Sequence, residues 1–335
     1  RCGSRPGTRA GTMASIINAT AMNWQLTVNN WQLMDRSLQC DLEMNADFRW
    51  QSVAEMVRRV SSGRGRELAG RYSIEGTRLV ERALRAGAAL ETVITTTRYL
   101  ADPRRDALQQ ALYHSGVSIV QAPEAVLTEL TEARDLGHIL GLVRLPVQVE
   151  LKSLLRSPLD RGQQPDQPTG QTSDIPIGRP LFLAAVDIRD PGNVGALTRT
   201  AHAGGATALL VAGASDPFHP RATRISRGSI FKLPIVRYGA PADLLDDLRR
   251  SGVTPIATAA EGGVPLATFL APRNPAAVLM GNEAEGLPPA IAAAVEFHVT
   301  IPMAAGVDSY SVNAAAAIIL YALRQQAVQQ ANHAP

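Results

Sequence analysis

Short, uninterrupted apolar runs punctuate the second half of the chain: LFLAAV, ALLVAG and AAVLM. Runs this short, bounded by turn residues and without alternating polar positions, read as strands covered on both faces. Between them lie segments of helical period, such as PADLLDDLRRSG, and further strand-like pieces, PIVRYG, TPIATAA and FHVTIPM. Strand and helix in alternation, with strands apolar on both sides, require a parallel sheet sandwiched between helices. The expected helices run from about Val194 to Ala203, through RATRISRGSIFKL, PADLLDDLRRSG and LPPAIAAAV, and finally through SVNAAAAIILYALRQQAVQQ.

The first half repeats the alternation on a smaller scale. WQSVAEMVRRVSSGRGR reads as a helix over 50–66, followed by a strand at Tyr72–Ile74 and an amphipathic helix carrying Leu79, Val80, Ala83 and Leu84, with Gly87 as its cap. The strands LETVITTTRYL, VSIVQAP and HILGLVRLPV alternate with the helices ADPRRDALQQALYHSG and EAVLTELTEA. Between the halves, KSLLRSPLDRGQQPDQPTGQTSDIPIG has no apolar period and is rich in Pro, Gln, Asp, Gly and Ser, as linkers are. The expected organisation is an N-terminus over 1–45 that is disordered or over-extended, a small α/β domain over 46–150, a linker over 151–178 and a parallel-sheet domain over 179–330.

Composition narrows the function. A chain of 335 residues has room for two domains with cores. Its net charge of +3 comes mostly from arginine, which permits a nucleic-acid partner without requiring one. Cys2 and Cys40 both fall in the N-terminal arm, and the six histidines are scattered, so neither a disulfide framework nor a Cys- or His-based metal site is expected. No apolar run reaches the length of a membrane span. The acid-free opening RCGSRPGTRAGTMASIINAT reads either as a transit peptide or as an over-extended start, with Met13, Met22 and Met34 as alternative beginnings.

Three stretches carry candidate chemistry. DIRDPGNVGALTRTAHAGG, 187–205, follows a strand, yet it matches neither G-x-G-x-x-G nor G-x-x-x-x-G-K-[ST], so it is no standard phosphate cradle. It places Asn193 as a helix cap and Arg199 six residues further on. VLMGNEAEGLPPAI, 278–291, puts Gly281 at a strand's carboxyl end, where open α/β sheets bind ligands, and adds Glu283 and Glu285. IPMAAGVDSYSVN, 301–313, leads into a helix through Ser309, Ser311 and Asn313, small polar groups suited to a polar ligand or to capping.

In this order, DPGNVGALTRTA, GNEAEGL and IPMAAGVDSYSVN resemble the three motifs of the SpoU/TrmH family of RNA 2′-O-ribose methyltransferases, within the SPOUT superfamily. The likeness covers about 180–328, and YSIEGTRLVERAL with HILGLVRLPV is similar to that family's substrate-binding domain. One departure lies in the third motif: where the family has Leu-Asn-Val-Ser after its first serine, this chain has Tyr310, Ser311, Val312 and Asn313.

The resemblance implies a C-terminal trefoil-knot domain of parallel sheet, preceded by a small α/β RNA-binding domain. It also implies a homodimer, a cytoplasmic setting, and transfer of a methyl group from S-adenosylmethionine to a ribose 2′-hydroxyl without a metal. By position, Arg199, Asn193, Glu283, Ser309 and Asn313 would form the catalytic set. Thr258, Ala259, Gly281, Ile301 and Tyr310 would hold the cofactor, and Arg224, Arg221, Arg227 and Arg71 would meet RNA. Read from the residues themselves, the basic helix end with Arg58, Arg59, Arg64, Arg66 and Arg71 is either a grip on flanking RNA or a solvated helix face. Ribosomal RNA is favoured over tRNA because the added N-terminal domain is commoner among rRNA-modifying members. The alternatives are a tRNA methyltransferase, a non-catalytic RNA-binding or ribosome-assembly protein on the same scaffold, and a Rossmann oxidoreductase. The last lacks its glycine fingerprint.

Overall fold

A computed structural model describes residues 50–131, 138–155 and 179–332. The N-terminal stretch 1–45 and most of the expected linker lie outside these residues.

Helix α1, residues 50–59, is followed by a break and then by α2, Gly63–Ala69, where one helix over 50–66 was expected. The break has a local cause: Ser62 adopts an extended backbone, and its hydroxyl accepts from the Gly65 N–H at 3.1 Å, starting a new helix. Next come β1 (Arg71–Glu75), α3 (Thr77–Arg85), β2 (Leu90–Thr95), α4 (Thr97–Leu100), α5 (Asp106–His114), β3 (Ser118–Gln121), α6 (Glu124–Leu130) and β4 (Ile139–Arg144). The expected strand LETVITTTRYL stops at Thr95, because the Thr96 hydroxyl caps α4 by accepting from the Tyr99 N–H. The sheet order is β1-β4-β2-β3, with β4 antiparallel to both neighbours and β2–β3 parallel.

A helical turn, α7 (Leu151–Leu154), opens the expected linker, and both of its leucines are buried against the second domain's core. The second domain comprises β5 (Leu181–Val186), α8 (Pro191–Ala203), β6 (Ala208–Ala212), α9 (Pro220–Ile225), β7 (Ile235–Tyr238), α10 (Pro241–Arg250), β8 (Thr254–Thr258), β9 (Val264–Pro265), β10 (Ala276–Met280), α11 (Pro289–Ala293), β11 (Phe297–Thr300) and α12 (Val312–Asn332). Its sheet is parallel throughout, in the order β7-β6-β5-β10-β8-β11-β9. All residues of β5, β6 and β10 are buried, as their unbroken apolar runs require. Strand β10 lies between β5 and β8, so the strand order reverses beside it. Helix α12 buries Ala316, Ile319, Leu320 and Leu323 with Val194, Leu197 and Ala201 of α8.

RATRISRGSIFKL is not one helix. It breaks after α9 because Arg227 and Gly228 take positive φ of 52° and 88°. A side chain at Gly228 would also be strained for space, since a Cβ there would lie 2.8 Å from Arg82 Cδ.

The two sheets meet along a buried seam. The Tyr72 and Phe218 rings lie 4.9 Å apart, a contact worth about 0.5–1.5 kcal/mol beyond area burial. Arg66, buried, donates to Val60 O and Ser61 O at 2.7 and 2.8 Å and also to Asp216. Arg224 meets the buried Glu75 carboxylate at 3.0 Å.

Candidate active site

Thr258, Gly281 and Ile301 each stand at or just beyond the carboxyl end of a strand, β8, β10 and β11 in turn. Together with Ala259 and Tyr310 they line one cleft of about 460 Å³, so all five cofactor candidates are brought together. Glu283 and Ser309 line it too. The volume falls within the usual range of small-molecule sites, about 300–1,000 Å³. A Cβ at Gly281 would lie 2.2 Å from the Gly286 carbonyl carbon and 2.3 Å from the Leu287 nitrogen. Only glycine lets the turn fold back on the strand end. Asn282 and Gly286 exchange two backbone hydrogen bonds of 2.9 Å, and the Asn282 carboxamide oxygen accepts from the Ala284 N–H at 2.9 Å. The cleft has an apolar wall, including Val299 and Ile319, and the carboxylates of Asp308 and Glu285.

This turn is tied to the loop after β5. Asn193 donates to Glu283 Oε1, Asn282 Nδ2 donates to Asp187 O at 3.4 Å, and Arg189 lies 3.6 Å from Glu285. Asp187 takes a φ of 53°, unusual for a non-glycine residue, and its carboxylate accepts from the Ala214 N–H at 3.1 Å. Asn193 therefore does not cap α8. Asp190 does, accepting from the Gly192 N–H at 3.1 Å, with Pro191 at the first helical position. Asn193 sits three residues beyond that cap, free to reach across to Glu283.

Arg199 is exposed, makes no hydrogen bond or ion pair among the described residues, and does not line the cleft. On α8 it shares a stripe with Gly195, whose Cβ position abuts Ala222 O at 2.4 Å, and with His202, whose Nδ1 lies 3.1 Å from Ser229 Oγ. That stripe faces α9 and the turn after it. Burial, and secondarily Lys232, lowers the His202 pKa. Asn313 accepts from the Thr200 hydroxyl, and Ser311 caps α12 by accepting from the Ala314 N–H at 3.3 Å.

The expected RNA-facing arginines are placed unequally. Arg227 is exposed; Arg221 pairs with Asp190 at 3.0 Å; Arg224 is held by Glu75. Arg71 donates to Glu91 at 2.5 Å, and Arg144 shares the same carboxylate. Burial alone would raise the Glu91 pKa, but the hydrogen bonds from Arg71 and Arg144 outweigh it and hold it below the usual carboxylate range. In the basic helix end, Arg66 is buried in the seam rather than offered to a ligand. The sequence reading missed Thr200, Asp187 and Asp308, whose importance depends on partners distant in sequence. It did contain a signal for Asp190, since Asp-Pro is a helix-start pair. Among the described residues no acid, His or Cys cluster could hold a metal, and no helix is long and apolar enough to cross a membrane.

Similar proteins share both the fold and its organisation. The SpoU rRNA Methylase family matches residues 180–321, and the MRM3-like substrate binding domain matches residues 55–141. The chain is 31% identical to a 23S rRNA (uridine(2479)-2'-O)-methyltransferase of Streptomyces viridochromogenes, over 84% of this chain and 91% of that one. It is 26% identical to a 23S rRNA (guanosine(2553)-2'-O)-methyltransferase of Bacillus subtilis, over 76% and 88%. Among solved structures, the SpoU methyltransferase AviRb from S. viridochromogenes in complex with AdoMet superposes with a TM-score of 0.66 at 26% identity, covering 82% and 96% of the two chains. An AdoMet-bound rRNA methyltransferase from Sinorhizobium meliloti also gives 0.66, at 25% identity over 82% and 94%. With its second and third motifs gathered at the carboxyl ends of neighbouring strands, and with a relative 31% identical over 84% of this chain, the chain belongs to the SpoU rRNA methylase family.

Proposed function

We infer that this protein uses S-adenosylmethionine to methylate a ribose 2′-hydroxyl in ribosomal RNA. The observation that carries the reading is the cleft at the strand ends, where segments of the second and third motifs converge on one glycine-closed turn. Thr258, Ala259, Gly281, Ile301 and Tyr310 would hold the cofactor, which supplies a sulfonium-activated methyl group and needs no metal to activate it.

A 2′-hydroxyl is a weak nucleophile and must be oriented, with its developing negative charge stabilised. Arg199 has the charge for this. Its pKa lies too high for proton abstraction, so it would position the hydroxyl and an adjacent phosphate while phosphate or water accepts the proton. Asn193 and Glu283, already bonded to each other, would fix the turn over the cleft. Ser309 would face the ribose, and Asn313 would hold the start of α12.

Arg199 does not line the cleft of its own chain, which supports a homodimer in which each Arg199 serves its partner's cleft. The exposed face of α12 fits this: Ala317, Ile318 and Tyr321 form an uncharged apolar stripe, and Val307 and Tyr310 continue it toward the cleft. The insertion of β10 between β5 and β8, with α12 packed on α8 and β10, is compatible with a trefoil knot. We place the protein with assembling ribosomes, in the cytoplasm. Arg224, Arg221, Arg227 and Arg71 remain proposed RNA contacts, with Arg224 requiring exchange of Glu75 for phosphate.

The test is incubation with tritiated S-adenosylmethionine and rRNA lacking 2′-O-methylation, followed by mapping of the labelled nucleotide. Label at one ribose is expected. Cofactor binding without transfer to any rRNA or tRNA would overturn the enzymatic reading in favour of an RNA-binding protein.

A further inference from the structure

A second concavity of about 760 Å³ opens where α3 faces the turn after α9, on the seam between the domains. Five arginines line it, Arg78, Arg82, Arg105, Arg224 and Arg227, against two glutamates, Glu75 and Glu81. Glu75 is already neutralised by Arg224, so the remaining arginines leave the groove strongly positive.

Two of these cations are presented rather than consumed. The side chains of Arg78 and Arg227 are exposed and make no hydrogen bond or ion pair among the described residues. Arg105 is braced over the Tyr99 ring at 5.1 Å, and its Nε, 3.7 Å from Asp102, has no hydrogen-bond partner. Arg82 donates to Arg227 O at 2.6 Å, which holds the two walls together and fixes the groove's width. The first turn of α3 has no side-chain cap and no acidic residue, so its backbone N–H end adds to the positive potential. Fixed guanidinium groups along a groove suit a chain of phosphates, which each can meet in bidentate fashion.

The groove also has a direction. One wall belongs to the substrate-binding domain, and the other is the turn against which the Arg199 stripe packs. We propose that this groove is a track for the phosphodiester backbone of the RNA substrate, held by Arg78, Arg82, Arg105 and Arg227 and leading from the substrate-binding domain toward Arg199. The proposal rests on the rRNA methyltransferase reading and assigns the strand outside the target nucleotide to a specific surface.

The test uses the full chain and a fluorescein-labelled single-stranded RNA of about 20 nucleotides, titrated by anisotropy over a salt series. Arg78→Gln with Arg227→Gln should weaken binding at least tenfold and lower the slope of log K against log salt by about 1.4, two contacts at about 0.7 each. Arg250→Gln, on the exposed surface of α10 outside the groove, removes the same kind of charge and should leave both quantities unchanged. S-adenosylmethionine binding by calorimetry should be equal in all variants, showing that they are folded. An unchanged slope in the double variant while the wild type binds RNA overturns the track alone. An equal loss in Arg250→Gln likewise overturns it, in favour of diffuse charge. A wild type that binds no RNA overturns the track, and one that in addition transfers no methyl group to rRNA overturns the RNA reading with it.

Discussion

The Thr200 hydroxyl donates to the Asn313 carboxamide, joining the residue after Arg199 to the first turn of α12. The link spans 113 positions of sequence and couples the first motif to the third. The departure in the third motif therefore has a structural use: Ser311 caps α12, and Asn313 points back to α8. Thr200→Val keeps the side chain's shape and removes the donor. It should cost about 1 kcal/mol of stability, leaving an amide unpaired. Thermal unfolding measures that cost, and single-turnover methylation should slow more than cofactor affinity falls.

Gly281→Ala should abolish the cleft rather than trim it. The added Cβ would overlap backbone atoms of Gly286 and Leu287, which cannot move without opening the Asn282–Gly286 pairing. Calorimetry should show S-adenosylmethionine affinity reduced by more than tenfold, with the circular dichroism of the sheet retained.

Arg199→Ala should separate binding from chemistry. The side chain is exposed and makes no hydrogen bond or ion pair among the described residues, so stability should change by less than about 0.5 kcal/mol. Methyl transfer should fall by at least a hundredfold at unchanged cofactor affinity. Mixing this variant with Gly281→Ala should restore part of the activity, because in the proposed homodimer a mixed pair would bring one intact Arg199 to one intact cleft.

Replacing Ile318 and Tyr321 by glutamate should yield monomers. Both side chains are exposed on α12, so folding should survive while sedimentation velocity reports half the mass.

Glu91 ties Arg71 to Arg144 across the small sheet and has a pKa below the ordinary value. A carboxylate depressed in the folded state stabilises above its unfolded pKa, about 4.3, and loses that contribution as pH falls through the folded value. The stability gap between wild type and Glu91→Gln should be constant near neutrality and narrow below about pH 4. Denaturant melts across that range measure it.

The apolar runs made the parallel sheet legible because covered strands leave no polar alternates. LFLAAV, ALLVAG and AAVLM became β5, β6 and β10. The short β9 at Val264–Pro265 was missed because two exposed residues carry no period. RATRISRGSIFKL misled because its helical spacing conceals an arginine that takes positive φ. Gly281 and its neighbours were legible from motif order, whereas the reach of Asn193 to Glu283 was not: local spacing made it a cap, and Asp190 had already filled that position.

The seam of Arg66, Tyr72, Phe218 and Glu75, all buried, with the half-buried Arg224, joins the two sheets through side-chain contacts. A molecule so built behaves as a calliper. Its jaws are set by the fold, and on the proposed phosphate track a ribose would be selected by how far it lies along the strand from the gripped phosphates. Loosening a jaw, as Glu75→Gln would, should scatter methylation over neighbouring nucleotides before it stops it.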